Sequence, residues 1–231
     1  MEAGRLLASG RDGDIFEYGP GLVLRRAKSR RVIEGEARII AYAREHGYPV
    51  PEIHDVRAGG TEIVMERIDG PMMMDVMLRK PWTMGRYARE LADLHDRLHV
   101  IPAPDWMRVA NDGDRLLHLD LHPMNVMITA AGPVVIDWTN AARGNALTDV
   151  AVTLVLLTCP EVPAPRPIRI AVTPARAWIA RAFASRYKGR DLDEQLVFGA
   201  QLKALDTNMS AKEVAAIEEL GARAEARLAR A

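Results

Sequence analysis

The sequence predicts an α+β protein in which a small β-rich lobe precedes a larger helical lobe. Short apolar runs separated by glycine and proline turns fill residues 1–69, as expected of an antiparallel sheet. Helical spacing of apolar residues dominates residues 70–231, where a strand–loop–hairpin segment at 118–138 interrupts it. We therefore expect one lobe at 1–69 and a second at 70–231.

The predicted first lobe combines strands with one helix. The helix covers residues 32–46 and ends at Gly47 and Pro49, because glycine favours the left-handed turn after a helix and proline cannot continue one. Glycine–proline pairs supply the turns between the strands. The runs that predict strands are residues 6–8, 15–18, 22–25, 50–56 and 61–68.

The predicted second lobe is mainly helical. Three leucines fall on one face of a helix at 87–98, and residues 130–133 predict the turn of the hairpin. We expect an apolar helix that begins at Asp149 and ends before Pro160. A proline-rich connection at 160–174 and further helices should complete the chain.

Composition excludes several classes of protein. Basic and acidic side chains number 31 each, so the clustered positive charge of a nucleic-acid-binding surface is not expected. Cys159 is the only cysteine, which rules out an intrachain disulfide and favours a reducing compartment. The N-terminal residues lack the apolar core of a signal peptide, and the longest apolar run is too short to span a membrane. These observations predict a cytoplasmic protein without nucleic-acid or membrane partners; the oligomeric state stays open.

Residues able to hold metal on a polyphosphate concentrate in two short segments, HLDLHPMN at 118–125 and VVIDW at 134–138. Asp120, on a loop, is a carboxylate that is ionised at neutral pH and suits the general base for a hydroxyl. Asn125 and Asp137 offer the oxygen ligands that Mg²⁺ prefers. The segments therefore predict an enzyme that transfers a phosphoryl group from a magnesium-bound polyphosphate to a hydroxyl.

These two segments closely resemble those of the aminoglycoside phosphotransferase and choline kinase-like family, a branch of the protein-kinase-like fold. The resemblance rests on the pattern His-x-Asp-x-His-Pro-x-Asn at 118–125 and on Ile-Asp-Trp at 136–138. It implies that ATP supplies the γ-phosphoryl group, that Asp120 is the catalytic base and that Asn125 and Asp137 hold magnesium. It also implies that His118 braces the catalytic loop and that His122 lies close to it.

The resemblance extends to both sides of these segments. It implies that Arg25, on a strand, contacts the nucleotide phosphates and pairs with Glu36 on the following helix. It further implies that Asp149 anchors the catalytic loop from a helix. The adenine-binding edge is expected at Glu66, Arg67 and Ile68. The resemblance thus implies that the lobe at 1–69 binds the nucleotide and that the lobe at 70–231 carries catalysis and substrate binding.

Two features depart from the family pattern. Many relatives carry lysine where this chain has Arg25, and a guanidinium is bulkier than an ammonium although it keeps the charge. Arg26 is therefore an alternative for the phosphate-contacting role. The loop at 9–14 contains Gly10 and Gly13 but is not a full glycine-rich phosphate loop.

Two other functions fit some of the same residues. His118, Asp120, His122 and Asp137 resemble a transition-metal hydrolase site, but zinc sites prefer more imidazoles and an amide is a poor zinc ligand. A non-catalytic nucleotide-binding pseudokinase is the second alternative, kept open by the arginine on the strand. For an enzyme, a small molecule bearing a hydroxyl is the expected acceptor, because basic residues outnumber acidic ones after residue 160 and disfavour a polycation.

Overall fold

The structure, a computed structural model of the chain, describes residues 3–10, 12–28, 32–159, 166–187, 191–207 and 209–230. The chain divides into two compact units. The first contains Met1–Met73 and Met124–Ala141, and the second contains Met74–Pro123 and Ala142–Ala231. The division near residue 70 lies close to the predicted one, but 124–141 packs with the first unit. The assignment of nucleotide binding to 1–69 and of catalysis to 70–231 stays a prediction.

The first unit contains a five-stranded antiparallel sheet with the strand order β1-β2-β3-β5-β4. Its strands are confirmed at the predicted places, with turns made by Gly19 (φ 88°) and Gly21 (φ 69°), a conformation that glycine adopts without strain. The strands are β1 (Leu6–Ser9), β2 (Gly13–Glu17), β3 (Leu22–Ala27), β4 (Ile53–Arg57) and β5 (Glu62–Glu66).

One helix, α1 (Glu34–Glu45), packs against this sheet. Ala37, Ile40 and Ala43 are buried at helical spacing, and Ala37 lies in one core cluster with Ile63 of β5. Gly47, with φ at 75°, ends the helix as its position in the sequence predicts. Because α1 is fixed by this apolar face, its first turn holds Glu36 in a buried position.

A hairpin completes the first unit. Strands β7 (Val126–Thr129) and β8 (Gly132–Val135) pair antiparallel around the predicted turn, with Val126 opposite Val135. The N–H of Ile136 donates to the carbonyl of Asn125 (3.0 Å), which closes the open end of the hairpin. The N–H of Ile128 donates to Pro71 O (2.8 Å), which ties the hairpin to residues before it and explains why it packs here.

The second unit is mainly helical, and the predicted α+β division is confirmed. Leu91, Leu94 and Leu98 are fully buried on one face of α3, as their spacing predicts. The helices are α2 (Met73–Arg79), α3 (Met84–Leu98), α4 (Ala146–Thr158), α5 (Arg166–Ala184), α6 (Leu192–Ala204) and α7 (Ala211–Leu228). Two short strands, β6 (Arg115–Leu117) and β9 (Ala142–Gly144), pair antiparallel beside them.

Two predicted boundaries in this unit are wrong. Helix α4 begins at Ala146 and not at Asp149, because the side chain of Asn145 accepts the N–H of Leu147 (2.9 Å) and caps the helix one turn earlier. The predicted connection at 160–174 is helical from Arg166 onward, with Pro174 inside α5. Apolar packing of α5 on α3 and α4 outweighs the backbone hydrogen bond lost at that proline. Residues 160–165 lie outside the described residues.

Among the residues that the structure describes, no helix combines the length and the apolar character needed to cross a membrane.

Candidate active site

A buried arginine–glutamate pair forms the centre of the candidate site in the first unit. Arg25 on β3 and Glu36 on α1 make a direct ion pair, with side chains that are 10% and 5% exposed. Burial raises the pKa of Glu36, and the Arg25 guanidinium opposes this rise. Removing water from two charges is costly unless each is paired, so the pair fixes both side chains against each other.

Thr139 and Asp137 extend this pair. Nη2 of Arg25 donates to Oγ1 of Thr139 (3.2 Å), and that hydroxyl donates to Oε2 of Glu36 (3.2 Å). Nη2 of Arg25 also lies 3.5 Å from Oδ1 of Asp137. One guanidinium therefore faces two carboxylates and a hydroxyl. Thr139 was not predicted as a site residue, although its hydroxyl lies only two positions after Asp137 in the sequence and this proximity could have suggested it.

Arg26 faces the other side of the sheet. Its Nε lies 2.7 Å from Oε1 of Glu62, and its guanidinium stacks 5.0 Å from the ring centroid of Phe16. Side chains of successive strand residues point to opposite faces, so Arg25 and Arg26 cannot share a partner set. This placement favours Arg25 over Arg26 for a phosphate-contacting role.

Asn125 and Asp137 flank the open end of the β7–β8 hairpin. Asn125 precedes β7, and Asp137 follows β8 by two residues. The backbone of Asp137 adopts a left-handed conformation (φ 62°), which is uncommon outside glycine and is often found at functional sites. Within the described residues, the buried Oδ1 of Asp137 accepts no hydrogen bond, and its charged neighbour is Arg25.

This donor set fits magnesium. A carboxylate oxygen without a hydrogen-bond donor and a mostly buried amide on the same hairpin end are hard oxygen ligands, and Mg²⁺ takes few protein ligands besides phosphates and water. Across the described residues, no group of three or more His, Cys, Asp or Glu side chains is arranged to hold a metal ion. A zinc hydrolase site would need such a group.

The predicted adenine edge uses part of its backbone within the protein. The N–H of Glu66 donates to Glu52 O (2.8 Å), and the N–H of Arg67 donates to Gly21 O (2.9 Å). Among the described residues, the N–H of Ile68 has no hydrogen-bond partner. Of the three residues predicted at the adenine-binding edge, Ile68 is therefore the one whose backbone N–H we expect to donate to adenine.

The loop between β1 and β2 is closed by its own hydrogen bonds. The N–H of Gly10 donates to Gly13 O (2.9 Å), and Oγ of Ser9 donates to Oδ1 of Asp14 (2.6 Å). A Cβ at Gly13 would lie 2.9 Å from the Arg26 carbonyl oxygen, so glycine is needed for this close approach. Arg11, in the same loop, lies outside the described residues.

In the second unit, Asp149 anchors the loop that carries Asp120. The fully buried Asp149 accepts the N–H of His118 (2.9 Å) and of Leu119 (2.7 Å), and Nε2 of His99 lies 3.1 Å from its Oδ2. Burial alone raises the pKa of Asp149, but the His99 hydrogen bond and the nearby imidazoles outweigh it and hold the pKa well below its usual range. The predicted anchoring role is confirmed.

The anchor compensates for local strain in the loop. Leu119, between His118 and Asp120, has a left-handed backbone with φ at 58°, which costs about 1–3 kcal/mol for a residue of this type. Two charge-assisted hydrogen bonds to the carboxylate of Asp149 hold the two consecutive peptide groups that precede this strained residue. The conformation of the loop is therefore determined by α4.

A second contact from α4 also holds the loop. Oγ1 of Thr153 donates to Leu121 O (2.7 Å), and Nε2 of His95 lies 2.9 Å from the same hydroxyl. Nδ1 of His95 contacts Leu91 O (2.8 Å), and burial lowers the pKa of His95 to about 4. The sequence analysis missed Thr153 because nothing in an apolar helix indicates which hydroxyl faces the loop.

The carboxylate of Asp120 is surrounded by basic groups. Its Oδ1 lies 2.9 Å from Nζ of Lys203, and its Oδ2 lies 3.9 Å from Nε2 of His122. Burial raises the pKa of Asp120, but Lys203 and His122 outweigh burial, with His118 adding to them, so the pKa is lowered. Asp120 is thus an ionised carboxylate at neutral pH. Lys203 was not identified from the sequence.

The predicted site residues fall in both units. In the first, Arg25 contacts Glu36 and Asp137, while Asn125 and Asp137 share one end of a hairpin. In the second, the loop brings His122 close to Asp120. The catalytic, metal-binding and nucleotide-binding roles assigned to these residues stay predictions.

Comparisons with known proteins show that part of the chain is similar to phosphotransferases. Residues 78–182 match the model of the phosphotransferase enzyme family, a segment that includes both motifs. No curated protein sequence matches the chain. The family resemblance drawn from the motifs is confirmed.

Solved structures support the fold over nearly the whole chain. A choline/ethanolamine kinase family protein from Mesorhizobium loti is similar at 15% identity, with a TM-score of 0.55, over 98% of this chain and 87% of that one. A thermostable mutant of aminoglycoside phosphotransferase APH(4)-Ia, in a complex with AMP-PNP and hygromycin B, shares 15% identity with a TM-score of 0.64 over 96% and 92%. An aminoglycoside-3'-phosphotransferase of type VIII shares 18%, with 0.61 over 92% and 91%. The two-lobed protein-kinase-like fold is confirmed.

Proposed function

We propose that this protein is an enzyme that transfers the γ-phosphoryl group of Mg-ATP to a hydroxyl of a small molecule. The protein-kinase-like fold and the match of residues 78–182 to the phosphotransferase enzyme family support this function. The observation that carries the proposal is the contact of Arg25 with both Glu36 and Asp137. A fixed cation beside a carboxylate that can hold metal is what binding of a metal-bridged triphosphate requires.

Each unit contributes its own groups to the proposed reaction. In the first unit, Arg25 binds phosphate oxygens, Asn125 and Asp137 hold Mg²⁺, and Ile68 offers its N–H to the adenine edge. Magnesium, when bound, neutralises the negative charge of the β- and γ-phosphates. AMP-PNP in the complex of one structural relative supports a nucleotide of the ATP type for this site.

In the second unit, Asp120 is the proposed general base. Its carboxylate takes the proton of the acceptor hydroxyl as the hydroxyl oxygen forms a bond to the γ-phosphorus. The bond from that phosphorus to the β–γ bridging oxygen breaks, and ADP leaves. A base that is ionised at neutral pH and held by an anchored loop suits this step, since positioning dominates phosphoryl transfer.

Binding and turnover of nucleotide test the proposal. We expect Mg-ATP to raise the unfolding temperature of the chain, since a ligand that binds only the folded state stabilises it. A panel of sugars, amino alcohols and antibiotics should then reveal an acceptor that yields ADP and a phosphorylated product. Binding of Mg-ATP without turnover on any acceptor or water would instead indicate a non-catalytic nucleotide-binding protein. Zinc binding without nucleotide binding would indicate a hydrolase.

A further inference from the structure

Lys203, near the end of α6, is a buried charge that the family motifs do not include. Its side chain is 6% exposed, and its Nζ lies 2.9 Å from Oδ1 of Asp120 and 3.4 Å from Oδ2 of Asp206. Burying an ammonium is costly, and apolar residues of similar volume often replace a buried ion pair without loss of stability. Fold stability alone therefore gives little reason for a lysine here.

The backbone that carries Lys203 is firmly held. Gly199 on α6 lets the helix approach α4 so closely that an added Cβ would meet Val152 N at 3.3 Å. Next to Lys203, the N–H of Asp206 donates to the lysine carbonyl (3.1 Å) and ends the helix. Helix α4 fixes the backbone of the loop through Asp149. A helix packed on α4 thus delivers the ammonium to the side chain of that same loop.

The contact fixes the orientation of the Asp120 carboxylate. With Oδ1 held by Nζ of Lys203, rotation about the Cβ–Cγ bond is restricted, and Oδ2 lies on the side of His122. The groups that face Asp120 are the imidazoles of His118 and His122 and the ammonium of Lys203, with Asp206 beyond it. Lys203 supplies the largest opposing charge to the burial of this carboxyl group.

We propose that Lys203 is a positioning residue that orients the Asp120 carboxylate and balances its charge for phosphoryl transfer, an inference that rests on the function proposed above. Lys203 keeps its proton throughout the reaction. The proton of the acceptor hydroxyl goes to Asp120, the hydroxyl oxygen bonds to the γ-phosphorus, and the bond to the leaving ADP oxygen breaks. The positive charge of Lys203 therefore keeps the Asp120 carboxylate ionised at a lower pH than the same buried carboxylate would be without it.

The first test is the pH dependence of ATP turnover, with water or an identified acceptor. In Lys203→Met, which keeps the length of the stem but removes the charge, we expect the acidic limb of the profile to move up by about one to three pH units. We expect turnover to fall about tenfold or more because orientation is lost, with the Michaelis constant for ATP unchanged. Lys203→Arg retains a charge, so its acidic limb should stay near that of the unsubstituted enzyme.

Lys80→Met is the matched control, because Lys80 is an exposed lysine of the same unit. Its profile should equal that of the unsubstituted enzyme. If Lys203→Met fails to fold, Lys203→Gln replaces it, since the amide keeps a hydrogen-bond donor without a charge. An acidic limb that does not move in the charge-removing variant, or that moves equally in the control, would overturn the proposal.

A second readout needs no turnover. Carbon-13 NMR of the aspartate carboxyl groups in the full chain follows the titration of Asp120, whose signal is assigned by its loss in Asp120→Asn. We expect its midpoint to rise when Lys203 is replaced by methionine. An unchanged midpoint in an active enzyme would overturn the role of Lys203 alone. Absence of ATP turnover in the unsubstituted chain would overturn the proposed function and, with it, the catalytic meaning of the contact.

Discussion

Each unit places one buried cation between two carboxylates, but the exposure of those carboxylates differs. In the first unit, Arg25 is paired with the buried Glu36, while Asp137 is 40% exposed. In the second, Lys203 lies between Asp120 and Asp206, which are 20% and 21% exposed. Burial raises the pKa of Glu36, whereas neighbouring positive charge lowers that of Asp120.

The difference separates two uses of the same pair of charges. Glu36 holds a guanidinium in place, so the cation is the group presented to a ligand. Lys203 holds a carboxylate in place, so the acid is the group presented. A lysine would suit position 25 less well than Arg25 does. The planar fork of the guanidinium contacts Glu36, Thr139 and Asp137 at once, and an ammonium has no such fork.

The largest effect is expected at the presented acid of the second unit. Asp120→Asn keeps the shape of the side chain but removes its basicity, so turnover should fall about a hundredfold or more. ATP binding should remain near normal, because the groups proposed to bind phosphate belong to the first unit. Steady-state kinetics and nucleotide titration measure the two quantities separately. Retention of more than a tenth of the activity would remove Asp120 from the role of base.

A smaller effect is expected at Asp137, the more exposed carboxylate of the first unit. Asp137→Asn keeps one neutral oxygen but loses the charge, so the magnesium concentration for half-maximal nucleotide binding should rise about thirtyfold, within the range seen for altered metal sites. A magnesium titration at fixed ATP measures this. Unchanged magnesium dependence would mean that Asp137 serves only to balance Arg25.

The two neighbouring arginines of β3 provide a matched pair of variants. Arg25→Ala should raise the Michaelis constant for ATP about tenfold, since a charge-assisted contact to phosphate is lost. Arg26→Ala should change it little, because Arg26 faces Glu62 on the opposite side of the sheet. Kinetics of both variants at saturating magnesium would decide between them, and the reverse outcome would exchange their roles.

The smallest effect concerns the support of the loop in the second unit. The ordinary pKa of histidine is 6.5, and burial lowers the pKa of His95 to about 4 in the folded chain. As the pH falls, the unfolded chain therefore binds a proton at His95 before the folded chain does. The free energy of unfolding should therefore decrease by about 1 kcal/mol from this residue between pH 7.5 and 5.5. Urea titrations at the two values measure it. In His95→Gln, the free energy of unfolding should depend less on pH than in the unsubstituted chain. In His46→Gln, which replaces an exposed histidine, this reduction should not be seen.

The sequence was informative where the functional groups are close along the chain. Asp120 and Asn125 share one segment, and Asp137 follows a short hairpin, so their spacing and the resemblance were enough to predict them as site residues. The strands and the buried face of α3 followed from apolar periodicity.

Long-range partners could not be predicted in the same way. Lys203 contacts a residue 83 positions earlier, and Thr139 contacts Glu36 across 103 positions, so no local pattern marks either side chain. The start of α4 could have been predicted, because asparagine is a common helix-capping residue and stands at position 145. The prediction followed the apolar run instead and placed the start at Asp149. The helical residues after Arg166 were missed because the prolines of this segment predicted a connection, whereas α5 contains Pro174 within it.

The β7–β8 hairpin has a practical consequence for labelling the protein. Its open end carries Asn125 and Asp137, while its tip, at Ala130 and Ala131, is exposed and lies a full strand length from them. Exposed loop tips of this kind accept inserted sequence most readily. A short tag or fluorophore-bearing peptide placed at the tip would report on the hairpin while leaving the proposed magnesium-binding end intact.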